Sequence, residues 1–369
     1  MAPGAVALTR GFGKSMVRPG RGIAVFAALA VAVLTLGPVV AVLIRAGGWG
    51  SLGANEWQAL RFTLMQATLS AGLSVALAVP VARALARRSF RGRGALVALM
   101  GAPFILPVIV AVLGLIAVFG QNGLVNLALR GLGLPGMTVY GVHGVILAHV
   151  FFNLPLAVRL ILQGWLAIPA ERFRLAASLG LTPGAMFRVL EAPMLLRIAP
   201  GAFAVIFVIC LSSFAVALTL GGGPRATTVE LAIYQAVRFD FDLGRAALLS
   251  VIQLGLALCA GLVALKLGAG DGFGAGLDRI RHRWDGQGAA ARIGDTLWIA
   301  LAALFLLTPL LSVVIRGLPY LADLGAATWQ AAGHSATVAL GSTALCLCWA
   351  LPLSTRGGEL VGLAGIALS

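Results

Sequence analysis

Long apolar runs separated by short polar and basic stretches recur along the whole chain. Eight runs reach the length that a helix needs to cross the hydrocarbon of a bilayer, about twenty residues. They lie near 22–44, 62–82, 95–119, 141–161, 198–220, 244–265, 295–315 and 333–353. A ninth begins at Val361 and meets the chain end at Ser369. Each run is expected to be helical, because only hydrogen bonds within the segment satisfy the backbone of a lone span in lipid. Pro38, Pro107, Pro155 and Pro309 fall inside runs and predict kinks. The expected fold class is an all-α polytopic membrane protein.

Composition agrees with this pattern. Of 369 residues, 60% are hydrophobic and 11% charged, where a soluble domain carries about a quarter charged. The mean hydropathy is +1.00. The charge is lopsided, with 27 Lys and Arg against 12 Asp and Glu. Sorted by loop, twenty basic residues fall on the side that holds the N-terminus and seven on the other. Cytoplasmic loops carry the Lys/Arg excess, so the N-terminus is expected in the cytoplasm. The basic excess is a topology signal and calls for no nucleic-acid partner. No cleavable signal peptide is evident, because the first run lacks a small-residue cleavage site before "RAGGWG".

Candidate chemistry is sparse. Cys210, Cys259, Cys346 and Cys348 sit inside expected spans, where cysteine behaves as a small apolar residue. His143, His149, His282 and His334 are scattered and form no ligand cluster. There is no P-loop, no GxSxG and no HExxH. Neither a catalytic residue, a metal site nor a cofactor is expected. An intramembrane enzyme or stand-alone carrier should show ionisable clusters at depth, and apart from His149 the span centres lack them.

An internal repeat organises the chain. "LGPVVAVLIRAG" around Pro38 returns as "LTPLLSVVIRG" around Pro309, and "WQALRFTLMQATLSAGLSVALAVP" from Trp57 returns as "WQAAGHSATVALGSTALCLCWALP" from Trp329. Ser70, Leu73 and Pro80 match Ser342, Leu345 and Pro352 at the same 272-residue offset that separates Trp57 from Trp329. Six spans separate the copies, so both keep one orientation, as in transporter halves related by an axis along the membrane normal. The expected organisation is a first half over 1–266, a Gly-rich charged cytoplasmic linker over 267–294, and the start of a second half over 295–369. The offset places the counterpart of Gly180 beyond Ser369, so the second copy is expected to be truncated.

The stretch "AASLGLTPGAMFRVLEAP" (176–193) interrupts the apolar pattern between the fourth and fifth runs. Pro169 and Glu171 suit the start of a short helix through "ERFRLAASLG", with Ala176 and Ala177 leaving one face flat. Gly180 ends it, and Thr182 and Pro183 suit the N-cap and first position of a second helix. Such a pair of helices is either an ordinary amphipathic connector or a knob with a docking face of alanine and glycine. The stretch resembles the EAA loop of ABC importer permeases, E-A-A-x3-G-x9-I-x-L-P. Aligned on Gly180, Ala176 stands at the second alanine, Leu190 in place of the isoleucine and Pro193 at the closing proline, while Arg174 and Leu175 replace the first Glu and Ala. "SFAVALTLGGGPRATTVELAIYQAVRFDFDLGRAALLSVIQL" (213–254) is similar to the same region of the fused thiamine and thiamine pyrophosphate permeases of that family.

The resemblance implies an ABC importer type I permease fold in the bacterial inner membrane. It also implies a cytoplasmic ABC ATPase dimer and a periplasmic thiamine-binding protein as partners, with no nucleotide chemistry on the permease. A coupling loop over 169–195 would seat in the ATPase through Arg174, Ala176, Ala177, Gly180, Leu190 and Pro193. Thiamine is cationic and aromatic, so its path can use carboxylates and aromatic faces. Glu230, Tyr234, Asp240 and Asp242 offer these before the sixth span; alternatively, these rim charges pair with Arg238 and Arg245 or dock the binding protein. "LGGGP" (220–224) reads as a tight turn or gate. The alternative cargoes are ferric iron, a polyamine or an inorganic anion.

The charge pattern makes a direct prediction. A topology reporter fused after Arg188 should read cytoplasmic, and one fused after Arg225 periplasmic. The reverse at both sites would overturn the charge argument.

Overall fold

Helices form at all eight apolar runs, and the physical reason is the one that the pattern anticipates: polar backbone groups have no partner in lipid except each other. The computed structural model describes residues 21–45, 48, 51–101, 103, 106–223, 226–268 and 288–354. The leader, Pro224 and Arg225, most of the expected linker, and the run from Val361 lie outside the described residues. The helices are α1 (Arg21–Arg45), α2 (Ala54–Arg87), α3 (Arg93–Leu99), α4 (Val108–Phe119), α5 (Leu124–Gly131), α6 (Val142–Ala167) and α7 (Ala170–Ser178). They continue as α8 (Pro183–Met186), α9 (Ala192–Leu211), α10 (Ala215–Leu220), α11 (Val229–Arg238), α12 (Leu243–Lys266), α13 (Ala289–Gly317) and α14 (Ala326–Ser354). Among the described residues, eight helical stretches are long and apolar enough to cross a membrane. The protein is an all-α, multi-pass membrane protein.

Two runs differ from their expected outline. The third is divided: α3 ends at Leu99, and α4 starts after Pro107, which stands at its N-cap rather than at a kink within it. Proline lacks the N–H that a helix interior needs but costs nothing at a helix start. The fifth run is also divided, with α9 ending at Leu211 and α10 starting at Ala215. In addition, α8 passes into α9 through a π-helical turn, Phe187–Glu191. Pro193 supplies no N–H for the carbonyl four residues earlier, and a wider turn before it absorbs the missing bond.

The chain packs as two units, Ala46–Pro319 and a smaller one of Met1–Arg45 with Tyr320–Ser369. In the larger, α2 packs on α6, and α9 packs on both. Ala67, Ser70, Ala71, Ser74, Ala78 and Ala82 form the fully buried face of α2. Small residues let membrane helices approach closely, which replaces the hydrophobic drive that lipid cannot supply. The same unit contains α13, packed on α4 and α2. At this crossing a Cβ on Gly114 would stand 2.6 Å from the Pro309 carbonyl oxygen, so the backbones meet because Gly114 has no side chain. Phe305 packs edge-on against Phe119 and Phe151. At the end of α2, Arg88 holds Asp295 of α13 at 2.7 Å.

In the smaller unit, α1 packs on α14. By the repeat, α13 is the counterpart of α1, and α14 of α2. Each unit therefore contains the first span of one copy paired with the second span of the other.

Gly114→Ala should force α4 from the Pro309 carbonyl and cost about 1–3 kcal/mol, the usual penalty for overpacking. Thermal unfolding of the detergent-purified chain checks this, with Gly37→Ala, where a Cβ meets nothing within 4 Å, as control. Equal midpoints for the two variants would remove the close approach from the argument.

Candidate coupling loop and intramembrane polar site

The loop between α6 and α9 is built by local backbone chemistry. Pro169 stands at the N-cap of α7 and Glu171 in its first turn. Its end is a Schellman turn: the Gly180 N–H donates to the Ala177 carbonyl at 3.0 Å and the Leu181 N–H to that of Ala176 at 3.0 Å. This turn requires a positive φ, and Gly180 has +66°. Nothing lies within 4 Å of a Cβ placed there, so glycine is needed for its dihedral angle rather than for space within this chain. Thr182 then caps α8, its Oγ1 accepting from the Ala185 N–H at 3.3 Å, with Pro183 in the first position.

Phe173, Ala176 and Met186 are buried and seat the loop on the helices beneath. Of the residues read as the docking set, Arg174, Ala177, Gly180 and Pro193 are exposed, Leu190 is half-buried and Ala176 faces inward. The outer face carries two leucines where the general E-A-A-x3-G pattern has an alanine and an open position. Leu175 is 60% exposed and Leu179 67%.

Below the loop lies a tether that the sequence reading counted only as topology charge. Arg83 of α2 holds the fully buried Glu191 at 2.6 Å and stacks its guanidinium 4.8 Å from the centroid of the Phe187 ring. Both partners of Arg83 belong to the π turn, so the second arm of the loop is fastened to α2. Removing one member of such a pair leaves an uncompensated buried charge and costs about 3–5 kcal/mol. The available signal was that Glu191 is the sole acidic residue between Glu171 and Glu230.

The break between α9 and α10 is the other polar feature, and it lies within a run read as continuous. Ending α9 at Leu211 frees carbonyls that lipid cannot satisfy. Side chains from neighbouring helices supply the donors. Gln66 Nε2 donates to the Cys210 carbonyl at 2.7 Å and Gln253 Nε2 to that of Leu211 at 3.1 Å. Thr228 Oγ1 donates to the Ser213 carbonyl at 2.9 Å. His149 bridges the break to α2, with Nε2 at 2.7 Å from Ser213 Oγ and Nδ1 at 3.3 Å from Ser70 Oγ. A neutral imidazole does this by donating through one nitrogen and accepting through the other. Asn153 Nδ2 reaches the His149 carbonyl at 2.8 Å and Cys210 Sγ at 3.3 Å. The carbonyl acceptors fix which end of each amide is nitrogen. The opposite ends, Gln66 Oε1, Asn153 Oδ1 and Gln253 Oε1, are buried acceptors without a partner among the described residues. The sequence signals were the Ser212–Ser213 pair inside an apolar run and the polar stripe Thr63, Gln66, Ser70, Ser74 at helical spacing.

The four residues read as a substrate path separate into two groups. Asp240 pairs with Arg245 Nη1 at 2.8 Å, and Asp242 caps α12 by accepting from the Arg245 N–H at 2.9 Å. Arg245 also holds Glu56 at 2.6 Å. Both aspartates are thus engaged in local structure. Glu230 and Tyr234 of α11 instead come to the break. Tyr234 packs edge-on against Phe214 and Phe239. Glu230 is half-buried, and its pKa is raised by that burial, with a hydrogen bond to Ser212 opposing the shift.

Because the raised pKa favours the neutral acid in the folded protein, the stabilising contribution is complete below the ordinary carboxylate range. It is lost as pH rises through the folded value. Glu230→Gln should therefore raise the thermal midpoint relative to the unsubstituted chain at pH 8 and leave it nearly unchanged at pH 4. A pH-independent difference would place the effect elsewhere. Gln66→Leu, which strips the Cys210 carbonyl of its donor, should cost about 1–3 kcal/mol in the same measurement.

No family model matches the chain. Individual proteins do. It is 44% identical over 309 residues to the thiamine transport system permease protein ThiP of Escherichia coli (strain K12), covering 82% of this chain and 57% of the relative. With that of Salmonella typhimurium the identity is 41% over 345 residues, covering 90% and 64%. The molybdenum transport system permease protein ModB of Mycobacterium bovis is 30% identical over 246 residues, 66% of this chain and 91% of the relative. The chain spans between 54% and 64% of the length of the thiamine permeases that it matches. With a relative at 30% identity covered over nine-tenths of its length, and longer ones at higher identity, the chain belongs to the ABC importer permeases.

Proposed function

We propose that this chain forms the membrane pathway of an ATP-driven importer for thiamine and its phosphate esters. In this reading it lies in the bacterial inner membrane with its N-terminus in the cytoplasm. It receives cargo from a periplasmic thiamine-binding protein and is driven by a cytoplasmic ABC ATPase dimer that performs all nucleotide chemistry. Residues 1–266 form the first half, 267–294 the linker, and 295–369 belong to the second half.

The observation that carries the coupling role is the exposed face of α7 and its Schellman turn. Arg174, Leu175, Ala177, Leu179 and Gly180 project from a loop whose underside is buried and whose second arm is tied to α2 through Glu191 and Arg83. A rigid knob transmits a push, whereas a loose connector absorbs it. Leu175 and Leu179 give the socket apolar area to bury, and Leu190 and Pro193 fix the knob's root. The relatives named for thiamine transport support the cargo. For its path we favour the break at Ser212–Phe214. Discontinuous helices are where transporters place substrate sites. Glu230 offers a carboxyl group to a cation, Tyr234 and Phe214 offer aromatic surface, and the unfilled amide oxygens of Gln66, Asn153 and Gln253 offer acceptors to N–H groups. Asp240 and Asp242 then serve the outer rim.

Reconstitution with the ATPase and binding protein tests both parts. Thiamine-loaded binding protein should stimulate ATP hydrolysis. Leu175→Glu with Leu179→Glu, at two largely exposed positions, should lower ATPase co-purification about a hundredfold, since two buried leucines contribute roughly 3 kcal/mol. Full retention of the ATPase by that variant would sink the coupling assignment, and absence of stimulation by thiamine would sink the cargo.

A further inference from the structure

A cavity of about 950 Å³ opens beside the root of the loop, at the ends of three spans. Its walls come from the end of α6 (Leu160 to Ala167), the start of α9 (Pro193 to Ala202), and Leu267 and Gly268 after α12. Leu160, Leu190, Met194 and Ile198 give it an apolar wall, while Gln163, Arg172 and Arg197 make the rest of its lining polar, with two guanidinium groups. Both arginines are exposed. Arg83 is held by Glu191, and Arg87 and Arg88 by Asp295, while Arg174 and Arg188 are exposed but lie outside this lining. For Arg172 and Arg197 there is no ion pair among the described residues.

Two guanidinium groups without an ion pair among the described residues, beside an apolar wall at the level where spans end, select an amphipathic anion. Guanidinium binds phosphate through parallel charge-assisted hydrogen bonds. Basic pockets between spans on the cytoplasmic side suit the headgroups of anionic lipids. We propose that this cavity is a site for an anionic phospholipid, with the phosphate on Arg172 and Arg197 and an acyl chain along Leu190, Met194 and Ile198. The position gives the lipid a task. Arg172 belongs to α7 and Leu190 to the π turn, so one lipid touches both arms of the loop and braces it against α6 and α9. This holds whatever the cargo, and its test requires neither ATPase nor substrate.

Native mass spectrometry of the detergent-purified chain with phosphatidylglycerol and phosphatidylcholine in equal amounts provides the test. Two arginines should favour phosphatidylglycerol roughly thirty-fold. Arg172→Ala with Arg197→Ala should abolish the preference, while Arg188→Ala, exposed on the same side but outside the cavity, should keep it. Ile198→Trp, which fills the groove and leaves both arginines, should also release the lipid, so the result does not depend on one variant folding. Millimolar inorganic phosphate should fail to displace bound phosphatidylglycerol. Displacement by phosphate would replace the lipid with a free anion and overturn the proposal. Equal retention of both lipids, or equal loss in Arg188→Ala, would reduce the site to diffuse positive charge and overturn it as well.

Discussion

A backbone carbonyl released from its helix inside a bilayer must find another donor, and much of this protein is arranged around one place where that happens. Between Leu211 and Ala215 the fifth span stops and restarts. Side chains of α2 and α12, together with Thr228, bond its free carbonyls, while His149 ties Ser213 to Ser70. Because the donors come from different helices, the break can exist only if those helices are already in register. The small-residue face of α2 provides that register by bringing α6 and α9 close. Polar satisfaction and close packing are therefore one constraint here, since loss of either leaves a polar group bare in hydrocarbon.

The same helix, α2, carries the load at its other end. Its last turns hold Glu191 of the loop through Arg83, and Asp295 of α13 through Arg87 and Arg88. A displacement of the loop is thus mechanically connected to α2, and α2 to the polar bracket at Gln66 and Ser70. No flexible linker intervenes between them. The first span of each copy packs on the second span of the other, α13 on α2 and α1 on α14.

Much of the loop was legible in the residues. Pro169, Thr182, Pro183 and Gly180 specify caps and a turn through backbone chemistry confined to a few neighbours, and each stands where that chemistry places it. The exposed leucines were harder to read. Leu175 and Leu179 look like inward-facing residues in any hydropathy pattern, and in a chain that is 60% hydrophobic the apolar residue that faces outward has no compositional mark. The four acidic and aromatic residues before span six were legible as polar, but not as two groups. Arg245, which claims Asp240 and whose N–H is capped by Asp242, is near in sequence; Ser212 and Phe214, which receive Glu230 and Tyr234, meet them only through the fold.

The sequence by itself determined what depends on local or summed properties. These are eight spans, their helical state, the charge asymmetry across them, the repeat, and the turn at Gly180. In lipid the backbone has one solution for a lone segment, so hydropathy suffices for the spans, and the rest depend on residue identities and near neighbours alone. Tertiary structure decided where that solution is suspended. The break at Ser212–Phe214, the burial of Glu191 against Arg83, the approach of Gly114 to Pro309 and the exchange of first spans all depend on partners tens to hundreds of residues away. Each is stable only because a distant group supplies the hydrogen bond, charge or space that the local chain lacks, and that information resides in the packing.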